Sequence, residues 1–125
     1  MTENEISAVI VDAGIQVHRA LGPGLLESAY EACLCHELRK SGLSVQSQVD
    51  LPVEYDGVVL EVGYRLDILI EGKVIVEVKA VKEIAPIHQA QLMSYLKLSG
   101  MKLGLLMNFH ETRLKDGIRR LVNGL

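Results

Sequence analysis

The segment Arg65-Leu66-Asp67-Ile68-Leu69-Ile70-Glu71-Gly72-Lys73-Val74-Ile75-Val76-Glu77-Val78-Lys79 decides how this chain folds. Two apolar runs rich in β-branched residues flank Glu71-Gly72, the pattern of a β-hairpin. Val74 to Val78 is apolar on both faces apart from Glu77, which implies a central strand covered by helices on either side. An ionisable group inside such a strand is unfavourable unless something pairs with it, and here three gather. Glu77 and Lys79 are two apart, so they project from one face of the pleat. Asp67 joins them only in one register. A two-residue loop would pair 70 with 73 and set Asp67 opposite Val76, on the wrong face. A three-residue loop, with Ile70 and Glu71 in the turn and Gly72 as the left-handed bulge residue, pairs 69 with 73 and places Asp67 on the face of Ile75, Glu77 and Lys79. The three-residue loop is the expectation.

Two carboxylates so placed can hold Mg²⁺ or Mn²⁺, hard cations that keep waters for substrate oxygens to displace. Such an ion polarises a phosphoryl group and helps ionise the attacking water. The Lys79 ammonium can orient that water and neutralise charge building on the phosphate. A lone E-x-K is ordinarily a solvated surface ion pair. The aspartate ten residues upstream, across a turn and on apolar strands, sets this one apart.

Working outward, Val49, Leu51, Val53 and Tyr55 alternate with polar residues up to an Asp56-Gly57 turn. Val58 to Ile70 is then a long second strand that Gly63 can bulge. Downstream, Pro86 sits in the first turn of a helix ending before Gly100, and Leu103 to Phe109 is a further strand. Ile118 to Val122 is a short element left unassigned. At the other end, Ile6, Val9, Ile10, Ala13 and Val17 recur at helical spacing until Gly22-Pro23-Gly24 breaks the helix. A second helix runs from about Leu26 to Lys40, with Gly42 at its C-terminal cap. The order is helix, helix, three-strand meander, helix, strand. It predicts one α/β domain over residues 1–125: a three-layer mixed sheet with helices on both faces.

The 125 residues carry a net charge of −3 and a pI near 5.8, which argues against a sequence-independent coat of nucleic acid. That average hides a split. Residues 1–60 hold nine acids and three bases, 3 − 9 = −6, while residues 61–125 hold ten bases and seven acids, 10 − 7 = +3. A positive rim around an acidic pocket suits a polyanion, and ordinary surface charge gives the same split. No apolar run reaches the length of a membrane span, and Met1-Thr2-Glu3-Asn4-Glu5 does not read as a secretory signal. A cytoplasmic protein with no membrane partner is expected. Cys33 and Cys35 are two apart on a helix and read as reduced, inert thiols. Gly22-Pro23-Gly24 lacks the strand and the further glycine of a dinucleotide fingerprint, and there is no P-loop. With 49% apolar residues, a leftover hydrophobic face would be covered most simply in a homodimer or other homo-oligomer.

Asp67, Glu77 and Lys79 together resemble the signature of the PD-(D/E)xK nuclease-like superfamily. More narrowly, Gly24-Leu25-Leu26-Glu27-Ser28-Ala29-Tyr30 resembles the G-x-x-E-x-x-Y signature of the GxxExxY protein family, a small branch of it. The resemblance runs from Val17-His18-Arg19 to Asn108-Phe109. It implies a restriction-endonuclease-like core and a Mg²⁺- or Mn²⁺-dependent nuclease acting on DNA or RNA, with Asp67, Glu77 and Glu27 as metal ligands and Lys79 assisting the nucleophile. Read from the residues alone, Glu27 is equally an acid that the helix dipole favours in a first turn. Gln91 and Tyr95, four apart on one helical face, resemble the Q-x-x-x-Y feature of RecB-like nucleases near the active site or the nucleic-acid strand. Tyr30, three residues after Glu27 and on the same side of the helix, is a further candidate accessory or nucleic-acid-binding residue, although it reads more readily as a core tyrosine with a satisfied hydroxyl. His18 could face the pocket from the first helix. The alternative function is a non-catalytic module of nuclease fold that binds nucleic acid or a protein partner.

Overall fold

A computed structural model describes all residues, 1–125. Helix α1 spans Glu3–Leu21, α2 Glu27–Lys40, and three strands follow: β1 Val45–Tyr55, β2 Val58–Ile70 and β3 Val74–Lys79. Helix α3, Pro86–Ser99, leads to β4, Leu103–Asn108, then a 3-10 turn, Leu114–Gly117, and β5, Ile118–Val122. The segment left unassigned from sequence is therefore an edge strand, antiparallel to β4.

Local chemistry sets the element ends. The Thr2 hydroxyl accepts from the Glu5 N–H while the Glu5 carboxylate accepts from the Thr2 N–H, a reciprocal cap that starts α1. Gly100, left-handed at φ 76°, ends α3 where its N–H bonds the Leu96 carbonyl.

The sheet order is β1-β2-β3-β4-β5. Only β3 and β4 run parallel, because α3 carries the chain back between them. Helices α1 and α2 cover one face over a core of Ile6, Ile10, Leu34, Ile68, Val76 and Leu105. Helix α3 covers the other over Leu69, Ile75, Leu92, Leu96 and Leu106. The three layers expected from the element order are present, and β3 is buried from Val74 to Val78. Gly14 and Gly104 let α1 and α3 approach β4 from opposite sides, since a Cβ on either would strike Met107 or Leu92.

The β2–β3 hairpin corrects the expected register. Ile70 pairs with Val74 rather than Leu69 with Lys73, so the loop is Glu71-Gly72-Lys73. Both Glu71 (φ 54°) and Gly72 (φ 62°) are left-handed, and the Lys73 N–H closes the turn on the Ile70 carbonyl. Ile70 is fully buried and β-branched, so it stays in the strand. Glu71 takes the left-handed position and is held there by Ser44, whose backbone carbonyl accepts from the Glu71 N–H and whose own N–H donates to the Glu71 carboxylate. The loop still has three residues and the shift is two, so the side-chain parity of the hairpin is kept. Gly63 (φ 83°) lies where β1–β2 pairing slips, between Leu51 and Val53, the bulge its position implied.

Candidate active site

Asp67 pairs with neither neighbouring strand. On one side the ladder steps from Ser47↔Ile68 to Val49↔Leu66, passing over Gln48, which is left-handed at φ 53°. On the other, β2–β3 pairing ends at Ile68↔Val76. The strand turns over at this point: Ile68 belongs to the core under α1 and α2, while Leu66, two residues before it, belongs to the core under α3. Beyond Val76 the ladder gives way to two side-chain bonds. Glu77 Oε2 accepts from the Asp67 N–H at 2.8 Å, and Asp67 Oδ2 accepts from the Val78 N–H at 2.9 Å. Each carboxylate is thus fixed by the other strand's backbone.

The reciprocal bonds use one oxygen per carboxylate. Glu77 Oε1 and Asp67 Oδ1 are left for other partners, with the Gln48 amide beside Asp67. No buried side-chain oxygen lacks a partner, so these free oxygens reach solvent. Glu77 is 4% exposed. Burial, and then the neighbouring Asp67 carboxylate, push its pKa up to about 8, against the opposing pull of the Asp67 N–H and the Lys79 ammonium. Burial also raises Asp67, while the Val78 N–H and Lys79 act the other way and Glu27 adds to the rise. Lys79 therefore sits close enough to act on both acids, yet it forms no ion pair with either.

The other expected residues divide. Glu27, exposed at the first turn of α2, accepts from the Ala80 N–H just past β3. It stands at the rim of the gap, and no three Asp, Glu, His or Cys side chains come together closely enough to hold an ion. The expected triad is not gathered; the pair Asp67 and Glu77 is. Tyr95 is buried beside the pair, its hydroxyl pKa raised by burial and then by Glu77, with its ring 6.0 Å from that of Tyr64. Gln91, one turn earlier, is exposed. Tyr30 donates to the Gly22 carbonyl, accepts from the Leu25 N–H and stacks on Phe109 at 4.6 Å. It is the core tyrosine expected, and it fastens the turn that delivers Glu27. His18 does not face the acids: its Nε2 lies 2.8 Å from the Glu111 carbonyl oxygen.

Three participants had no place in the sequence reading. Glu31 follows Glu27 by one helical turn, and burial raises its pKa, with the Asp67 and Glu27 charges adding to the rise. The Gln48 amide bonds both its oxygens, at 3.0 and 3.1 Å. The spacing of Glu27 and Glu31 was the available signal. Asn108, fully buried, accepts from the Val81 and His110 N–H groups and donates to the Val81 carbonyl. It staples the loop after β3 to the loop after β4.

Two carboxylates with an open oxygen each would supply two hard oxygen ligands to a divalent cation, leaving its other positions to water and substrate oxygens. Searches of curated proteins and of solved structures returned no match. The profile of one family, described as the PD-(D/E)XK nuclease superfamily, matches residues 4–121. That span takes in the helices, the opened hairpin and the strand beside it, and the chain belongs to the PD-(D/E)XK nuclease superfamily.

Proposed function

We propose that this chain is a Mg²⁺- or Mn²⁺-dependent nuclease that hydrolyses phosphodiester bonds of DNA or RNA by attack of water. One observation carries the reading: two neighbouring carboxylates are locked by backbone bonds in a gap of the central sheet, with a free oxygen each and no cation paired to them. Such an arrangement is unfavourable for folding alone and is what a cation would relieve. Asp67 and Glu77 would hold the ion, with Glu27 and Glu31 at the rim. When bound, it supplies charge stabilisation at the phosphoryl oxygens and lowers the pKa of water. Lys79 orients the water and offsets charge on the phosphate. Tyr95 walls the acids from the α3 side. Divalent ions are general among nucleases of this superfamily. Within it, Gly24, Glu27 and Tyr30 support placing the chain in the GxxExxY branch.

The test is cleavage of single- and double-stranded DNA and RNA with Mg²⁺ or Mn²⁺. Activity that disappears in Glu77→Ala and Lys79→Ala proteins of unchanged circular dichroism supports the proposal. A wild-type protein that cleaves nothing across the panel with either ion overturns it. One observation favours a second reading, a nuclease-fold module that binds a protein without cleaving. The far half of the β1–β2 hairpin leaves Tyr55, Val58, Val59, Leu60 and Val62 exposed, a patch of the kind that marks interaction surfaces. Calorimetry without metal binding would move the choice to it.

A further inference from the structure

A cavity of about 350 Å³ lies between the last turns of α1 and the segment after β4. Ile15 and Leu114 contribute its apolar lining, Arg19, Arg113 and Lys115 its charge, and His18 and Thr112 complete the wall. No carboxylate lines it. Arg113 shares an exposed contact with Asp116 at 3.5 Å, while Arg19 and Lys115 have no ion pair. A basic residue in the last turn of a helix is ordinarily explained by the helix dipole, which accounts for Arg19. It does not account for Arg113 and Lys115, which come from a different segment and converge on the same hollow. Three cations around one concavity repel one another, and an anion is the simplest occupant to relieve that.

The cavity belongs to the same end of the sheet as the acids. Lys79 pairs with Asn108 across β3 and β4, and the Lys79 carbonyl accepts from the Phe109 N–H. The ring of Phe109 is 6.3 Å from that of His18, which anchors the Glu111 carbonyl at the start of the basic segment. The Asn108 staple ties this segment to the loop leaving β3. The cavity, on the α1 side of the sheet, is thus tied to the Lys79 backbone through Phe109 and His18.

We infer that the cavity is a phosphate subsite, where Arg19, Arg113 and Lys115 take a phosphate of the nucleic-acid strand away from the bond being cut. This rests on the nuclease reading, and it assigns the substrate contact that the acidic gap cannot make. Arginine and lysine on exposed segments suit phosphate, and the weak Arg113–Asp116 contact is readily exchanged for a charge-assisted one.

The test uses the full chain and its Arg19→Gln/Lys115→Gln variant, both positions being exposed and unpaired. With short DNA and RNA oligonucleotides, KM should rise on the order of ten-fold while kcat stays within about two-fold, and the slope of log affinity against log salt should fall by about one per cation removed. Comparison of 5′-phosphorylated, 5′-hydroxyl and circular strands separates the sources. A terminal phosphate shows as a 5′-phosphate preference lost in the variant; an internal one shows as equal loss on circles. Both outcomes support the subsite. Equilibrium binding in EDTA is measured on the same pair, so that the subsite is tested even if the protein has no cleavage activity. Unchanged KM and salt slope, or unchanged binding and slope where nothing is cleaved, overturn it.

Discussion

Glu77 stands inside a strand, 4% exposed, with one oxygen bonded to the backbone opposite; Arg19, Arg113 and Lys115, at the same end of the sheet, carry their charges into water from a helix end and a loop. The acids are each pinned by one oxygen and cannot move apart, so their repulsion is held in the fold. The cations stand in water, so salt weakens their mutual repulsion and a bound anion offsets the rest. Burial should therefore make the acidic pair dominate chemistry and stability alike, while the basic cavity is felt in affinity and salt dependence.

The sharpest way to break this contrast is activity. Glu77→Ala and Lys79→Ala should each lower the cleavage rate on the order of a thousand-fold, measured with Mg²⁺ and Mn²⁺ under single turnover. Losses of only a few-fold would put the chemistry elsewhere.

Stability against pH comes next. A carboxyl whose folded pKa is raised binds more protons folded than unfolded, so its contribution is fully present below the unfolded value and is lost as pH rises. For Glu77 the window runs from its ordinary value of 4.5 to about 8, facing Asp67, Glu31, Lys79 and Tyr95. Urea unfolding without metal should show stability falling by roughly 2–5 kcal/mol across it. In Glu77→Gln the decline should be much smaller, and Mg²⁺ should restore wild-type stability most at the upper end. A flat wild-type profile would mean that the acids are better solvated than their burial implies.

Tyr30→Phe removes the hydroxyl shared by the Gly22 carbonyl and the Leu25 N–H. A loss of about 1–3 kcal/mol in the same unfolding experiment is expected, with activity reduced through the displaced Glu27. Arg19→Gln/Lys115→Gln should be the mildest, changing stability by less than about 0.5 kcal/mol. A larger thermal shift would mean that the cavity cations are structural.

Much of the architecture was legible because each element carries a local signal. Apolar spacing marks α1, alternation marks β1, and the unbroken run Val74 to Val78 marks a strand buried on both faces. The hairpin register was less so: its side-chain parity followed from loop length, but its two-residue offset turned on whether Ile70 or Glu71 would take a left-handed backbone. Burial of Ile70 and the Ser44 tether decided that, and neither is local. Glu27 and Tyr30 were visible as a spaced pair. Gln48 and Asn108, and Glu31 beyond its spacing from Glu27, carry no motif, because their roles come from partners 17 to 27 residues away.

By itself the sequence determined the order of helices and strands, the central place of β3 and the residues proposed to carry the chemistry, Asp67, Glu77 and Lys79, since periodicity and buried charge are properties of neighbours along the chain. Only the tertiary structure decided that β2 turns over at Asp67 and parts from β3, that Glu27 stops at the rim on Ala80, and that three cations from separate segments share one hollow. Those are outcomes of packing among elements distant in the chain, where each backbone group deprived of its strand partner must find a side chain instead.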